Sequence, residues 1–216
     1  MNKPIKLLIT DLDDTLIRSN INYSKIRLQI ADLFPVPLST EMIMKTPILG
    51  LLKKLKRDFP EKFIEGYQRI DEAEKRATKT ATVIQGAEKI PLIIKKHNLY
   101  SAIYTNNSKS TIELYLTNPR FYFLKEFQIL TREDFNNPKP DPEGLISIID
   151  SFNDKLITKE NTAYIGDSYI DAIAAHRANI KFIWFHSRDI DQNLFPDTPY
   201  QTLTDWVDFE SILLGQ

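Results

Sequence analysis

One short stretch near the start of the chain, Lys6 to Arg18, limits the possible folds more than any other; it reads K-L-L-I-T-D-L-D-D-T-L-I-R. Residues 7–10 form an apolar, partly β-branched run with the length of a buried parallel strand. The run stops at Asp11, and Asp13 follows two residues later. Because ligands bind at the carboxyl edge of open α/β sheets, this stretch predicts a site at such an edge.

Asp11 and Asp13 are two residues apart, so an extended backbone points both side chains to the same side. Two carboxylates about 4 Å apart repel each other by roughly 4 kcal/mol at an effective dielectric near 20, and a cation between them offsets that repulsion. Such a pair can hold a hard metal ion, act as nucleophile and acid/base, or do both. A solvated Asp-rich turn after a strand is the alternative, and the motif by itself leaves the two interpretations open.

The composition restricts the class of protein. The chain has 216 residues, of which 42% are hydrophobic and 26% charged, as expected for one large globular domain or one domain with a modest insert. A net charge of -1 gives no field that attracts nucleic acid or an anionic membrane, and no apolar run approaches the ~20 residues of a membrane helix. The chain has no cysteine, which excludes disulfides and thiolate chemistry, and Asp11 interrupts the first apolar run, so no signal peptide is predicted. We therefore expect a cytoplasmic protein without nucleic-acid or membrane partners.

The pattern of apolar residues divides the chain into two parts. Residues 19–83 show helical periodicity without a convincing strand, whereas from Gly86 onward helices and strands alternate. Alternation of this kind predicts a parallel sheet with right-handed crossovers. We therefore predict an α/β fold in which a Rossmann-like parallel sheet core, residues 1–18 and 84–216, is interrupted by an α-helical domain at residues 19–83. After the first strand, the predicted strands are residues 100–105, 127–131, 162–165 and 181–185.

Polar side chains follow two of the later strands. Thr105 and Asn106 end the second strand, and Asp167 ends the fourth, with Asp171 four residues further on. Spacing of four on a helix places Asp171 one turn from Asp167 on the same face. Asp167 could instead cap a helix, and Thr105 with Asn106 could be an ordinary turn. In a parallel sheet the carboxyl ends of the strands lie at one edge. Polar residues at several of these ends therefore favour a common site over unrelated caps and turns.

Two further residues are expected at the same carboxyl edge of the sheet. Lys139 lies between two prolines that stiffen its loop, although it could also be an ordinary solvated lysine. Gly166 immediately precedes Asp167 and removes a side chain where the backbone must approach another group closely. We expect the acidic side chains, the lysine and a divalent cation to form one site.

Taken together, these residues resemble the four motifs of the haloacid dehalogenase superfamily phosphatases. Those motifs are D-x-D-x-T, here residues 11–15; a strand ending in Ser or Thr, here Thr105; a lysine, here Lys139; and G-D-x-x-x-D, here residues 166–171. The match covers roughly residues 5–18 and 84–190 in the family's order and spacing. The helical insert resembles the C1 cap of the phosphoglycolate-phosphatase-like branch. Asp14 departs from that branch, which usually has glycine at this position.

The resemblance implies a Mg²⁺-dependent phosphomonoesterase that acts on a small phosphorylated metabolite through an aspartyl-phosphate. It implies that Asp11 is the nucleophile and Asp13 the general acid and base. The implied Mg²⁺ ligands are the Asp11 carboxylate, the Asp13 main-chain carbonyl and Asp167. Lys139 is also expected to keep Asp11 ionised. The remaining implied roles are phosphate binding by Thr105, Asn106 and Lys139, and support of the site by Thr15 and Asp171.

The implied cap is expected to close over the site and exclude water. Most of its charged residues are expected to be ordinary surface groups. The candidates for substrate contact are Arg18, Asn20, Tyr23, Lys25, Arg27 and Lys45.

Three other functions compete with a phosphatase. A sugar-phosphate mutase has the same fold, but many such mutases carry an acidic residue where this chain has Gly166. A dehalogenase needs neither Asp13 nor a metal ion. A receiver or another non-catalytic phospho-binding domain is much shorter and lacks the helical insert. The sequence indicates neither the natural substrate nor the oligomeric state.

Overall fold

The computed structural model describes residues 3–152, 156–186, 192–196 and 200–214. Its strands are β1 (Leu7–Thr10), β2 (Ile17–Arg18), β3 (Thr82–Val83), β4 (Tyr100–Tyr104), β5 (Gln128–Leu130), β6 (Thr162–Gly166), β7 (Lys181–Phe185) and β8 (Gln201–Leu203). Its α-helices are α1 (Tyr23–Ala31), α2 (Thr40–Lys45), α3 (Ile48–Asp58), α4 (Pro60–Ala77), α5 (Ile90–Lys96), α6 (Lys109–Thr117), α7 (Glu143–Ser151), α8 (Tyr169–Ala178) and α9 (Phe209–Leu214). Short 3-10 helices lie at Ala87–Lys89, Pro119–Glu126, Arg132–Asp134, Lys159–Asn161, Gln192–Leu194 and Trp206–Asp208.

A six-stranded sheet in the order β5-β4-β1-β6-β7-β8 organises the larger part of the molecule, and every neighbouring pair in it is parallel. The first strand is central: Thr10 lies beside Ile103 of β4 and Ile165 of β6. All four residues of β1 are fully buried, as its continuous apolar sequence predicts. The predicted α/β class, a Rossmann-like parallel sheet with surrounding helices, is confirmed.

By its internal contacts the chain divides into two compact units, residues 1–18 with 82–216 and residues 19–81. The smaller unit is helical, and its buried core includes Ile26 and Ile30 of α1, with Leu33 and Phe34 just after that helix. A Cβ atom on Gly66 would lie 3.0 Å from side-chain carbons of Leu52 and Leu55, so α3 and α4 cross where no side chain separates them. Among the residues that the structure describes, no helix is long and apolar enough to cross a membrane.

The structure differs from the sequence prediction in two places. Thr82–Val83 is a strand paired antiparallel with Ile17–Arg18, so the helical unit ends at residue 81 rather than 83. The tail contains a further parallel strand, β8, ahead of α9, and β8 is not among the predicted strands. Strands of two or three residues are too short to show a periodicity, which is why the sequence did not reveal them.

The turn after β1 depends on an unusual backbone conformation at Asp14. Its φ is +54°, in the left-handed region, and its N–H donates to the carbonyl of Ile17 at 2.6 Å. The N–H groups of Leu16 and Ile17 donate to the carbonyl of Leu12 and close the loop. Residues with a Cβ pay for this conformation, and Asp is among the few that tolerate it. This explains why glycine suits the same position in the branch that the chain resembles.

We predict that Asp14→Ala is less stable than Asp14→Gly by about 1 kcal/mol, because both variants lack the carboxylate and only alanine has a Cβ at positive φ. At ordinary helix positions the order is reversed, with alanine favoured by roughly 0.5–1 kcal/mol. Urea unfolding of the two variants measures the difference. An alanine variant as stable as the glycine variant would show that Asp14 does not adopt this conformation.

Candidate active site

The carboxyl ends of β4, β1 and β6 lie side by side, and each is followed by a polar residue. Asp11 follows β1, Thr105 follows β4 and Asp167 follows β6. Asp11, Asp167 and Asp171 are buried, and one carboxylate oxygen from each lies within 4.8 Å of the others. The parallel sheet therefore brings together Asp11 and Asp167, which are 156 residues apart in the sequence.

Lys139 is the cation at the centre of this cluster. Its ammonium donates to Oδ1 of Asp11 at 2.6 Å and to Oδ1 of Asp171 at 2.8 Å. It also lies 2.9 Å from the hydroxyl of Tyr164 and 3.1 Å from the carbonyl of Tyr104. Only 3% of Lys139 is exposed, so these protein atoms take the place of water around the ammonium.

Electrostatics at the cluster depart from the expectation that Lys139 keeps Asp11 ionised. Burial is the largest influence on Asp11 and raises its pKa; Lys139 lowers it, Asp171 and Asp13 raise it, and the result is a pKa of about 7. Burial alone would lower the pKa of Lys139, but the charges of Asp11 and Asp171 outweigh burial and hold that pKa above its usual value. The lysine therefore acts on Asp11 in the predicted direction, yet one ammonium does not compensate for burial among several acids.

Asp171 is held from several sides. Its Oδ1 accepts from Lys139 and from the Tyr164 hydroxyl at 2.6 Å, and its Oδ2 accepts from the N–H and hydroxyl of Ser168. The bond from the Ser168 N–H is one half of a capping box at the start of α8; in the other half, the Ser168 side chain accepts from the backbone N–H of Asp171. A Cβ on Gly166 would lie 2.6 Å from Cβ and Cγ of Asp171, which confirms the predicted close approach at this glycine.

One detail of the predicted geometry was wrong. Asp167 lies before α8, and Ser168 is the N-cap residue, so Asp167 and Asp171 do not share a helical turn. The two carboxylates converge because the chain turns tightly from β6 into α8. Asp167 is additionally fixed through its carbonyl, which accepts from the indole of Trp184 at 3.1 Å.

The oxygen donors fit a hard divalent cation. Asp11, Asp167 and Asp171 offer carboxylate oxygens within reach of one ion, and carboxylates are ligands of the kind that Mg²⁺ prefers. Three ionised carboxylates at such distances repel each other by about 3 kcal/mol per pair at an effective dielectric near 20. Both oxygens of Asp171 already accept hydrogen bonds, which favours Asp11 and Asp167 as the direct ligands.

The loop after β4 contacts both Lys139 and Asp13. The side-chain amide of Asn106 accepts from the N–H of Lys139 at 3.1 Å and donates to its carbonyl at 3.3 Å. Asn107, which the sequence analysis did not single out, donates from Nδ2 to Oδ2 of Asp13 at 2.6 Å. The guanidinium of Arg132 donates to the carbonyl of Asn106 at 3.0 Å. The sequence signal for these residues is their position, since they directly follow the predicted strands at residues 100–105 and 127–131.

Thr15 is fully buried behind the acidic loop, and its carbonyl accepts from the indole of Trp206 at 2.8 Å. Trp206 also stacks on Phe185 at the end of β7, with ring centroids 5.1 Å apart. The loop that carries Asp11 and Asp13 is therefore tied to the far end of the chain through a backbone carbonyl. Sequence reasoning found Thr15 but not Trp206.

Comparison with solved structures gives matches over nearly the whole chain. A hydrolase from Pseudomonas syringae is 22% identical with a TM-score of 0.74, covering 98% of this chain and 99% of that one. A candidate phosphoglycolate phosphatase from Lactobacillus plantarum is 18% identical with a TM-score of 0.71, covering 97% and 100%. A candidate β-phosphoglucomutase from Thermotoga maritima is 19% identical with a TM-score of 0.66, covering 98% and 99%. Likeness at these identities shows the fold alone.

A search of curated proteins gives no match. The family model for haloacid dehalogenase-like hydrolases, in contrast, matches residues 8–185, which is most of the chain. All four motifs, from Asp11 to Asp171, lie inside that match. The chain therefore belongs to the haloacid dehalogenase-like hydrolase family.

Proposed function

We propose that the protein is a Mg²⁺-dependent phosphomonoesterase that transfers the phosphoryl group of a small metabolite to Asp11 and then to water. The observation that carries this proposal is the buried pair of Asp11 and Lys139, 2.6 Å apart, with Asp167 and Asp171 beside it. A carboxylate held by a cation at the edge of a sheet suits attack on phosphorus, because the surrounding charges also bind the phosphoryl oxygens.

In the first step, an oxygen of Asp11 forms a bond to phosphorus. Lys139 holds Oδ1 of Asp11, and we assign the other oxygen, Oδ2, as the attacking oxygen. The bond from phosphorus to the substrate's ester oxygen breaks, and its electron pair stays with that oxygen. The carboxyl group of Asp13 gives its proton to the same oxygen, so the products are an aspartyl-phosphate, a neutral alcohol and the Asp13 carboxylate.

In the second step, water replaces the alcohol. The carboxylate of Asp13 takes a proton from the water as the water oxygen bonds to phosphorus. The bond between phosphorus and Asp11 breaks, its electrons return to the carboxylate, and inorganic phosphate leaves. Both acids are then back in their starting protonation states.

The remaining groups bind and orient the phosphoryl group. Thr105, the backbone amide of Asn106 and Lys139 are proposed to contact its oxygens and offset the charge that spreads over them in the transition state. Asn106 bonds both backbone polar groups of Lys139, which ties the lysine loop to the loop after β4. The helical unit at residues 19–81 is proposed to select among metabolites.

Mg²⁺, when bound, supplies positive charge that offsets both the acids and the phosphoryl oxygens. The residues proposed to hold it are Asp11 and Asp167 through their carboxylates and Asp13 through its main-chain carbonyl. Asp171 is proposed to hold Lys139 instead, since its oxygens accept from Lys139, Tyr164 and Ser168.

We expect the purified protein to release phosphate from p-nitrophenyl phosphate with MgCl₂ and not with a chelator, and Asp11→Asn to abolish release while the variant still folds and melts cooperatively. The amide keeps the shape of the side chain but is not a nucleophile. Asp150→Asn, which removes an exposed acid of α7, is the matched control and should keep full turnover. Turnover by Asp11→Asn at the wild-type rate would refute the proposal, and transfer of phosphate back to a sugar phosphate instead of water would identify a mutase.

We predict that Mg²⁺ stabilises the folded protein. At ten times the dissociation constant, a ligand of the folded state adds about 1.4 kcal/mol, which corresponds to about 3–6 °C in melting temperature for a chain of this size. Differential scanning fluorimetry with MgCl₂ and with a chelator measures the shift. Asp167→Asn should lose most of the shift and Asp150→Asn should keep it; equal shifts in both variants would remove Asp167 from the metal site.

We predict that Tyr164→Phe lowers the free energy of unfolding by about 1–2 kcal/mol, because the Tyr164 hydroxyl bonds both Asp171 and Lys139 and bonds to charged groups are the stronger ones. Tyr104→Phe is a matched control in the same cluster. Its buried hydroxyl makes no hydrogen bond with the described residues, so its removal should cost less than about 0.5 kcal/mol. Chemical denaturation of both variants tests this, and equal losses would contradict the assigned bonds.

A further inference from the structure

The contact between Asn107 and Asp13 is the part of the site that the mechanism above leaves unused. Nδ2 of Asn107 donates to Oδ2 of Asp13 at 2.6 Å, and both residues are buried, with 3% and 8% of their surface exposed. These residues are 94 positions apart in the sequence, so only the adjacency of β1 and β4 brings them together. A short bond between two buried side chains restricts how both are oriented.

Asn107 is itself fixed by its backbone. Its N–H donates to the hydroxyl of Thr105 at 3.1 Å, and its carbonyl accepts from the N–H of Arg132 at 3.2 Å. The guanidinium of Arg132 holds the preceding carbonyl, that of Asn106. The amide of Asn107 is therefore presented to Asp13 from a loop that is anchored on both sides.

The contact with Asn107 matters because Asp13 is the proposed general acid. A protonated carboxyl group carries its proton on one of two oxygens, and only a proton on the oxygen that faces the leaving group can be transferred. An amide NH₂ group is a donor only, so an oxygen that it contacts has to act as an acceptor. Donation to Oδ2 of Asp13 consequently favours the proton on Oδ1.

We propose that Asn107 is a positioning residue for the acid step: it holds Oδ2 of Asp13 as an acceptor and directs the transferable proton to Oδ1. This inference rests on the proposed phosphatase function, and Asn107 acts through Asp13 without contacting the substrate. Its loss should weaken protonation of the leaving group and leave the attack by Asp11 intact.

Leaving groups of different basicity distinguish such a role from a merely structural one. An alkoxide is a poor leaving group and depends on the proton, whereas p-nitrophenolate is stable as an anion and leaves without one. A defect in proton delivery therefore slows alkyl phosphates far more than p-nitrophenyl phosphate. General damage to the site slows all substrates alike. Because kcat/KM covers the steps up to release of the alcohol, it reports on this protonation and not on the later hydrolysis.

The experiment measures kcat/KM for p-nitrophenyl phosphate, phenyl phosphate and glycerol 2-phosphate, with the full chain in MgCl₂. For Asn107→Leu we expect a loss of about 10- to 100-fold on glycerol 2-phosphate, a fraction of the roughly 10²–10⁴ that a general acid contributes, and a loss of less than about threefold on p-nitrophenyl phosphate. Asn107→Ala also lacks the donor and should show the same pattern, so it replaces the leucine variant if that variant does not fold.

Two comparisons control the result. Asn161→Leu removes a buried asparagine that precedes β6, at the opposite edge of the sheet, where its side chain bonds the backbone of residues 156 and 158. Any loss in this variant should be the same for all three substrates. In an Asp13→Asn background, Asn107→Leu should change no rate by more than about twofold, because residues that act through one group are not additive.

A uniform loss across the substrates in both Asn107 variants would overturn the inference and leave the phosphatase function standing. So would a further leaving-group-dependent loss in the Asp13→Asn background. A wild-type protein that hydrolyses none of the three esters would instead overturn the proposed function, and the inference with it.

Discussion

The buried ammonium of Lys139 between Asp11 and Asp171 is the interaction on which the rest of the site depends. Several carboxylates meet at the carboxyl edge of the sheet, and without a cation their mutual repulsion and loss of hydration would oppose folding. Burial is the largest cause that raises the pKa of Asp11, and the charges of Asp171 and Asp13 raise it further. The clustered carboxylate oxygens of Asp11, Asp167 and Asp171 fit a divalent cation, which would offset the repulsion among them.

The fold supplies this arrangement through close contacts that permit little adjustment. A Cβ on Gly166 would overlap Asp171, and a Cβ on Gly144 would lie 2.4 Å from the ring of Tyr104, whose carbonyl holds Lys139. Both glycines thus allow another element to pack directly against a member of the cluster. The members of the site are therefore held by close packing as well as by hydrogen bonds to one another.

The loop after β4 connects the two halves of the proposed chemistry. Asn106 holds the backbone of Lys139, while Asn107 holds the side chain of Asp13. The nucleophile's cation and the general acid are therefore positioned by adjacent residues of one loop, which Arg132 fastens to the next strand's end. In the proposed reaction, such coupling would help to position the attacking and protonating groups relative to each other, and positioning supplies much of the catalysis of phosphoryl transfer.

The sequence by itself determined the α/β class, the helical insert and the acids Asp11, Asp13, Asp167 and Asp171 with Lys139, because continuous apolar strands and their polar ends are local patterns. It did not determine that Tyr164 would bond Lys139 and Asp171, or that Asn107 would bond Asp13, since a tyrosine inside a strand and an asparagine in a turn are equally consistent with ordinary packing. Those contacts exist only once parallel pairing has set β4, β1 and β6 in register. Tertiary structure decided them because hydrogen bonding depends on distance and direction between groups that the chain itself holds far apart.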